Sequence, residues 1–280
     1  MSTGPRENWG KEYVNKTVTY AASPRNPSDL EQLWHYEVVR GYVTTHLPDV
    51  KDPKIIEVGC GGARNALYLA MHGYDVSCAD YSEEAIRLAR ANFETLGAHG
   101  TFLLDDLMKS TIPDETFDCV MSFGLLEHFV DLDPLVQSLT RLIKPGGLHI
   151  HVVVPKKFST QTIVDVLMFP FKLAINLFVR RLPIRGIVKR SYRNFPFYEN
   201  SYSWQQYCAA FAKGGNEVLN CEAGSLILSL FYWPTHVGLG YPAMKLYAGL
   251  MERVNNWVRD SKSPAVYRFS QTFTIIGRKK

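Results

Sequence analysis

Four carboxylates and one histidine carry most of the chemistry this chain can offer. Glu57 stands two residues before Gly59-Cys60-Gly61-Gly62, Asp80 closes the run Tyr74–Asp80, Asp105-Asp106 follow Thr101–Leu104, and His128 lies just past Phe117–Ser122. Glycines carry no Cβ, so the turn after Val58 lets backbone N–H groups and the start of a helix come close to a ligand. Glu57 narrows the choice of ligand: it repels a pyrophosphate and suits an amino group or sugar hydroxyls. Arg64 occupies the place of the third glycine of a G-x-G-x-x-G dinucleotide turn, which speaks against that ligand class. Asp80 comes 23 residues after Glu57, near where nucleoside-binding α/β folds place an acid for ribose hydroxyls. Imidazole titrates near neutrality, so His128 suits a general base; capping its own loop is the other use for it.

The elements that must position these groups alternate. An apolar strand ending at Val58 runs into the glycines and a helix from Ala63 to about His72. Ser82 reads as an N-cap, with Glu83 and Glu84 in the first turn of a helix reaching about Gly97. Further strands are expected at Thr101–Leu104 and Phe117–Ser122, then at Leu148–Val154 after the turn Lys144-Pro145-Gly146-Gly147. Strands alternating with helices at this spacing imply a parallel sheet with its ligand groups at the strands' C-terminal ends. His149 and His151 fall on one face in the middle of the fifth strand and read as packed rather than catalytic.

Over residues 50–154 the chain resembles the class I S-adenosylmethionine-dependent methyltransferases. The resemblance rests on EVGCGGAR, DYSEEAI, LLDDL, PDETFDCVMSFGLLEHF and LIKPGGLHI, in one order and one spacing. It implies a seven-stranded, mostly parallel Rossmann-like α/β sheet with strand 7 antiparallel between strands 5 and 6, and helices on both faces. It implies S-adenosyl-L-methionine as cofactor, with S-adenosyl-L-homocysteine as product. By the same resemblance Gly59 and Gly61, with Glu57, Cys60 and Arg64 beside them, hold the amino acid end, and Asp80 with Tyr81 takes the ribose. Asp106, or Asp105, accepts from the adenine amino group next to Leu107, and Ser122 and Phe123 line the floor. Ala63 stands where many members carry glycine, and its small side chain suggests tolerance. Members that bind Mg²⁺ here use E-x-x-E-H; Gly124-Leu125-Leu126-Glu127-His128 lacks one oxygen ligand, so no metal is expected.

The 280 residues, 46% of them hydrophobic, suit one α/β domain with additions. The start MSTGPRENWGKEY has no apolar stretch, so no secretory signal is expected. Five cysteines without a C-x-x-C pair suit a reducing cytoplasm. The net charge of +4 gives no reason to expect nucleic acid. Four regions follow: an N-terminal helical cap over 1–49 with a helix at Asp29–Thr45, the core over 50–154, an insertion over 155–202, and the rest of the sheet over 203–280.

The first insertion carries nine basic residues against Asp165 and Glu199, after the apolar run Ile163–Val179. At 17 residues, broken by an acid, a proline and a lysine, that run is a poor membrane span. Two readings stand for 160–195: a lid over the site, or a lid that also lies in a membrane interface. Strand 6 is expected at Glu217–Cys221 behind a helix Trp204–Lys213, and strand 7 at Tyr267–Ile276. The apolar residues between them, over 224–265 with a helix near Ala243–Val258, would roof an apolar acceptor pocket or form a homodimer interface.

The function expected is methyl transfer to a small apolar or lipid-like acceptor, with oxygen as the methylated atom. Methylation of nitrogen or carbon is the alternative within the class. A nicotinamide-dependent oxidoreductase and a cofactor-binding protein without catalysis are the alternatives outside it.

Overall fold

The computed structural model describes residues 24, 26–160, 162, 163, 170, 199–224 and 241–280. The expectations for most of 160–195 and for 225–240 lie outside those residues.

Helix α1 (Pro27–His46) opens with Asn26 as N-cap, its side chain accepting from the Asp29 amide, and with proline in the first turn. Then follow β1 (Lys54–Val58), α2 (Arg64–Met71), β2 (Asp75–Asp80), α3 (Glu83–Leu96), β3 (Thr101–Leu104) and β4 (Phe117–Phe123). The Ser82 hydroxyl caps α3 by accepting from the Ala85 amide, and Gly97 ends it in a left-handed conformation at φ +63°. The second half holds α4 (Leu132–Leu142), β5 (Ile143–Val153), α5 (Trp204–Lys213), β6 (Asn216–Ala223), α6 (Tyr241–Asp260), α7 (Pro264–Phe269) and β7 (Phe273–Lys279).

These strands form one seven-stranded sheet in the order β3-β2-β1-β4-β5-β7-β6. The first five run parallel, and β7 pairs antiparallel with both β5 and β6. One apolar cluster packs on the sheet with α4, α5 and α7; a second packs on it with α1, α2 and α3. With the reversal of strand order between β1 and β4, the C-terminal ends of β1 to β4 face a common crevice.

Two boundaries differ from expectation. Strand β5 begins at Ile143, because Lys144–Gly147 is absorbed where the ladder to β4 shifts between Phe117 and Cys119. Residues Tyr267–Phe269 belong to α7 and not to β7. Pro264 sets the first helical turn, and Tyr267 is buried against Trp204 with its hydroxyl donating to the Cys221 carbonyl.

Candidate active site

The turn after β1 is built to hold one acid and to be held by another. Gly59 and Gly61 take φ of +64° and +51°, and a Cβ on Gly59 would lie 2.8 Å from Leu125 Cδ1. Only glycine meets both demands at Gly59 without displacing the loop after β4. The Cys60 amide donates to the Ala79 carbonyl at 3.1 Å, tying the turn to β2. The Gly61 amide donates to Asp80 Oδ2 at 3.0 Å and the Ser82 amide to Oδ1 at 2.9 Å. Asp80 is thus oriented by two loops at once. Burial pushes its carboxyl above the ordinary range, and the backbone donors pull the other way.

Glu57 accepts from the Ala66 amide at 2.8 Å in the first turn of α2. Desolvation pushes its carboxyl up to about 8, and Asp80 nearby adds to the shift. Gly62 packs toward α3, where Asn92 Nδ2 donates to its carbonyl at 2.6 Å. The Asp105 amide donates to the Asp80 carbonyl at 3.0 Å, and Asp106 Oδ1 accepts from the Met108 amide at 3.2 Å.

Between these elements lies a cavity of about 320 Å³. From the first turn it is lined by Glu57, Gly59, Cys60, Gly61 and Arg64; from the ends of β2 and β3, by Asp80, Tyr81, Asp105, Asp106 and Leu107. Phe123 and His128 complete the far wall. Ser122 stands apart from it: fully buried, its hydroxyl bonds His151 Nδ1 at 2.8 Å. Neighbours in a strand point to opposite faces, so Phe123 on the wall leaves Ser122 under the sheet. Sequence reasoning missed Leu88, Met108, Leu125 and Phe129 as lining residues. Leu125 and Phe129 flank the Glu127-His128 pair, and that adjacency was the available signal; Leu88 arrives only through the packing of α3.

His128 ends a 3-10 turn, Leu126–His128, that the far chain holds in place. Asn200 Nδ2 donates to the carbonyls of Leu126 at 3.2 Å and Phe129 at 3.0 Å, and the Asn200 amide donates to the Glu127 carbonyl at 2.7 Å. Glu127 lies buried behind this loop, its carboxyl pushed up to about 7 chiefly by desolvation. Tyr202 donates its hydroxyl to the Val130 carbonyl at 2.6 Å. Among the described residues no three His, Cys, Asp or Glu side chains stand together as a metal site.

Residues 56–151 match the family described as Methyltransferase domain. They form a class I S-adenosylmethionine-dependent methyltransferase domain. The cofactor of this domain class is S-adenosylmethionine. The chain is 34% identical over 122 residues to a ubiquinone biosynthesis O-methyltransferase of Alkalilimnicola ehrlichii, covering 42% of this chain and 46% of that protein. It is 30% identical over 146 residues to the Coxiella burnetii protein of the same name, covering 52% and 62%. The chain thus spans about half the length of the relatives it matches. In structure it is similar to geranyl diphosphate C-methyltransferase of Streptomyces coelicolor, solved with Mg²⁺, geranyl diphosphate and S-adenosyl-L-homocysteine. That likeness has a TM-score of 0.57 at 13% identity over 100% of both chains. The cyclase SpnF is similar too, with a TM-score of 0.54 at 15% identity over 98% of this chain and 91% of that one. The methyltransferase domain therefore shares its fold with a C-methyltransferase and with a cyclase, and the fold alone does not choose the reaction.

Proposed function

We propose that the chain moves a methyl group from S-adenosylmethionine to a hydroxyl oxygen of a small, largely apolar molecule. The observation that carries this reading is the polarity of one cavity. Acids from the ends of β1, β2 and β3 line one side; Phe123, Leu125, Phe129 and His128 line the other. That division fits a ligand with several donor groups at one end and a reactive centre pointing toward an apolar acceptor.

When bound, the cofactor supplies a methyl group on a positively charged sulfur with its own leaving group. The residues of this chain have four tasks: bind, orient, exclude water and hold a proton. Asp80 keeps acceptor capacity beyond its two amide bonds and takes sugar hydroxyls. Asp106, capping its own turn, or Asp105 accepts from an exocyclic amino group. Phe123, Leu125 and Phe129 keep the acceptor side dry. His128, on the far wall in a turn that Asn200 clamps, receives the hydroxyl proton of the acceptor. Oxygen as the methylated atom is supported by the relatives named O-methyltransferases. Among the described residues no helix is long and apolar enough to cross a membrane; a cytoplasmic place, membrane contact through 160–195 and a homodimer remain parts of this proposal.

Calorimetric titration with S-adenosylmethionine, S-adenosylhomocysteine and NADH tests the cofactor. Binding of the two sulfur ligands without NADH is expected, and binding of NADH alone overturns the reading. Transfer of a labelled methyl from the cofactor into lipophilic phenols and catechols then tests the acceptor class. His128→Ala is expected to slow that transfer with cofactor affinity retained.

A further inference from the structure

We propose that Cys208 of α5 and Cys221 of β6 form a reversible thiol–disulfide pair, oxidised by hydrogen peroxide, whose closure slows methyl transfer; the effect on transfer rests on the function proposed above. The Cys208 side chain packs on the apolar cluster that contains Cys221. The Cys221 thiol donates to the Cys208 sulfur, so the two sulfurs already meet across the helix–sheet interface. They differ in access: Cys208 is partly exposed and Cys221 is buried. The bond from Cys221 holds the Cys208 thiol below the usual range, against the effect of burial. A thiol that is reachable, acidified and beside a second thiol is the kind that oxidation selects. Cys60, Cys78 and Cys119 are buried. Hydrogen bonding to Cys78 and burial push the Cys60 thiol up, and burial does the same to Cys119.

The chemistry closes in two steps. The Cys208 thiolate attacks one oxygen of the peroxide; an S–O bond forms, the O–O bond breaks, and the departing hydroxide takes up the thiol's proton as water. The Cys221 sulfur then displaces the hydroxyl from Cys208, and that hydroxyl leaves with the Cys221 proton as a second water; a thiol reductant reverses the bond. A disulfide holds its sulfurs about 2.05 Å apart, closer than a hydrogen bond between them, so α5 is drawn toward β6. Tyr207, next to Cys208, is fully buried and donates its hydroxyl to Asn200 Oδ1. Asn200 in turn clamps the turn that carries His128. Movement of α5 is thereby passed to the far wall of the cavity, whereas Asp80 is held by the Gly61 and Ser82 amides.

The test treats the whole chain with hydrogen peroxide, alkylates the remaining thiols and maps the peptides. A Cys208–Cys221 cross-link is expected, forming at least about tenfold faster than any oxidation of Cys60, Cys78 or Cys119. Cys221→Ala is expected to leave a sulfenic acid on Cys208 that dimedone traps, and Cys208→Ser to leave Cys221 reduced. The oxidised protein is expected to transfer methyl groups about tenfold more slowly, with S-adenosylmethionine affinity within about twofold and full recovery in dithiothreitol. In Cys208→Ser, peroxide should leave the rate unchanged. Absence of the cross-link overturns the inference, and so does a cross-link that leaves the rate unaltered. The cross-link is read without cofactor or acceptor. If the reduced protein transfers no methyl group, the function proposed above fails, and the thiol pair is still decided by the peptide map.

Discussion

Two polar clusters are buried along one sheet, and they end differently. At the rim, Glu57 and Asp80 accept from backbone amides on one side and face the cavity on the other. In the centre, Ser122, His151, His149, Asn216 and Thr140 bond to one another and, through Asn216, to backbone carbonyls. Asn216 Nδ2 donates to Thr140 Oγ1 at 2.8 Å and to the Phe211 carbonyl at 3.2 Å, which leaves its Oδ1 to accept from His149 Nε2 at 3.0 Å. That choice fixes the rest: His149 Nδ1 accepts from His151 Nε2 at 3.0 Å, and His151 Nδ1 accepts from the Ser122 hydroxyl. Phe211 covers both rings. A buried polar chain that closes on itself specifies architecture; one that keeps acceptor capacity toward a cavity can bind.

Asp80→Asn should separate the two clusters most sharply. The substitution removes the charge that faces the cavity and turns one acceptor into a donor against the Gly61 or Ser82 amide. Cofactor affinity is expected to fall by about 100-fold, and stability by about 2 kcal/mol. Calorimetry and thermal melting read the two effects separately. Unchanged affinity with lowered stability would make the rim as purely architectural as the centre.

His149→Leu is the converse experiment. It strands Asn216 Oδ1 and His151 Nε2 in the interior, at an expected cost of about 2–4 kcal/mol in denaturant unfolding, with cofactor affinity within about twofold. The pH dependence sharpens the contrast. Burial lowers His149 from 6.5 to about 3 and lowers His151 as well, so below 6.5 the unfolded chain binds more protons than the folded one. The stability these histidines protect is complete above 6.5 and is lost as pH falls toward 3. Glu57 behaves in the opposite sense: raised from 4.5 to about 8, it contributes fully below 4.5 and loses that contribution as pH rises through 8. Glu127, raised to about 7, adds to the same limb. The two clusters together place their stability maximum between 4.5 and 6.5. Each group changes the slope by at most about 1.4 kcal/mol per pH unit. In melting curves across pH, His149→Leu should flatten the acid limb and Glu57→Gln the alkaline one; the reverse pattern would mean that other groups carry both.

Much of the rim was legible because its determinants are local. Glycines after an apolar strand, acids at strand ends and a capping serine each act within a few residues, and the alternation of strands and helices implies a parallel sheet; the place of strand 7 came from the resemblance. The centre was legible only in part. Alternation marked His149 and His151 as packed, but Asn216 joins them from 67 residues away, which no periodicity reveals. The resemblance put Ser122 on the cavity floor with Phe123, whereas the structure buries it and bonds it to His151. The same limit hid the Asn200 clamp, which reaches back 71 residues to Phe129, and the Gln32–Arg64 bond across 32 residues. Residues 267–269 were misread because an alternating Tyr-Arg-Phe suits a strand, while Pro264 and the burial of Tyr267 start and hold a helix.

Ala63→Gly should produce the smallest effect, because opposing terms meet at one residue. Ala63 is left-handed at φ 50° and ψ 41°, with its amide donating to the Cys60 carbonyl at 2.7 Å. An L-residue there is strained by about 1 kcal/mol, and glycine relieves it. Glycine also removes a methyl group that is fully buried in the second apolar cluster, a loss of about 0.8 kcal/mol, and frees the unfolded chain further. The net change is expected within about 1 kcal/mol, a shift in Tm of no more than about 4 °C, with cofactor affinity unchanged. Ala63→Val has no such offset, since a β-branched side chain is a true outlier in that conformation and has no free volume at 0% exposure. Were Ala63→Gly instead to cost more than about 2 kcal/mol, packing of the methyl group and not backbone strain would decide the turn. The rim would then depend on close packing as strictly as the histidine chain does.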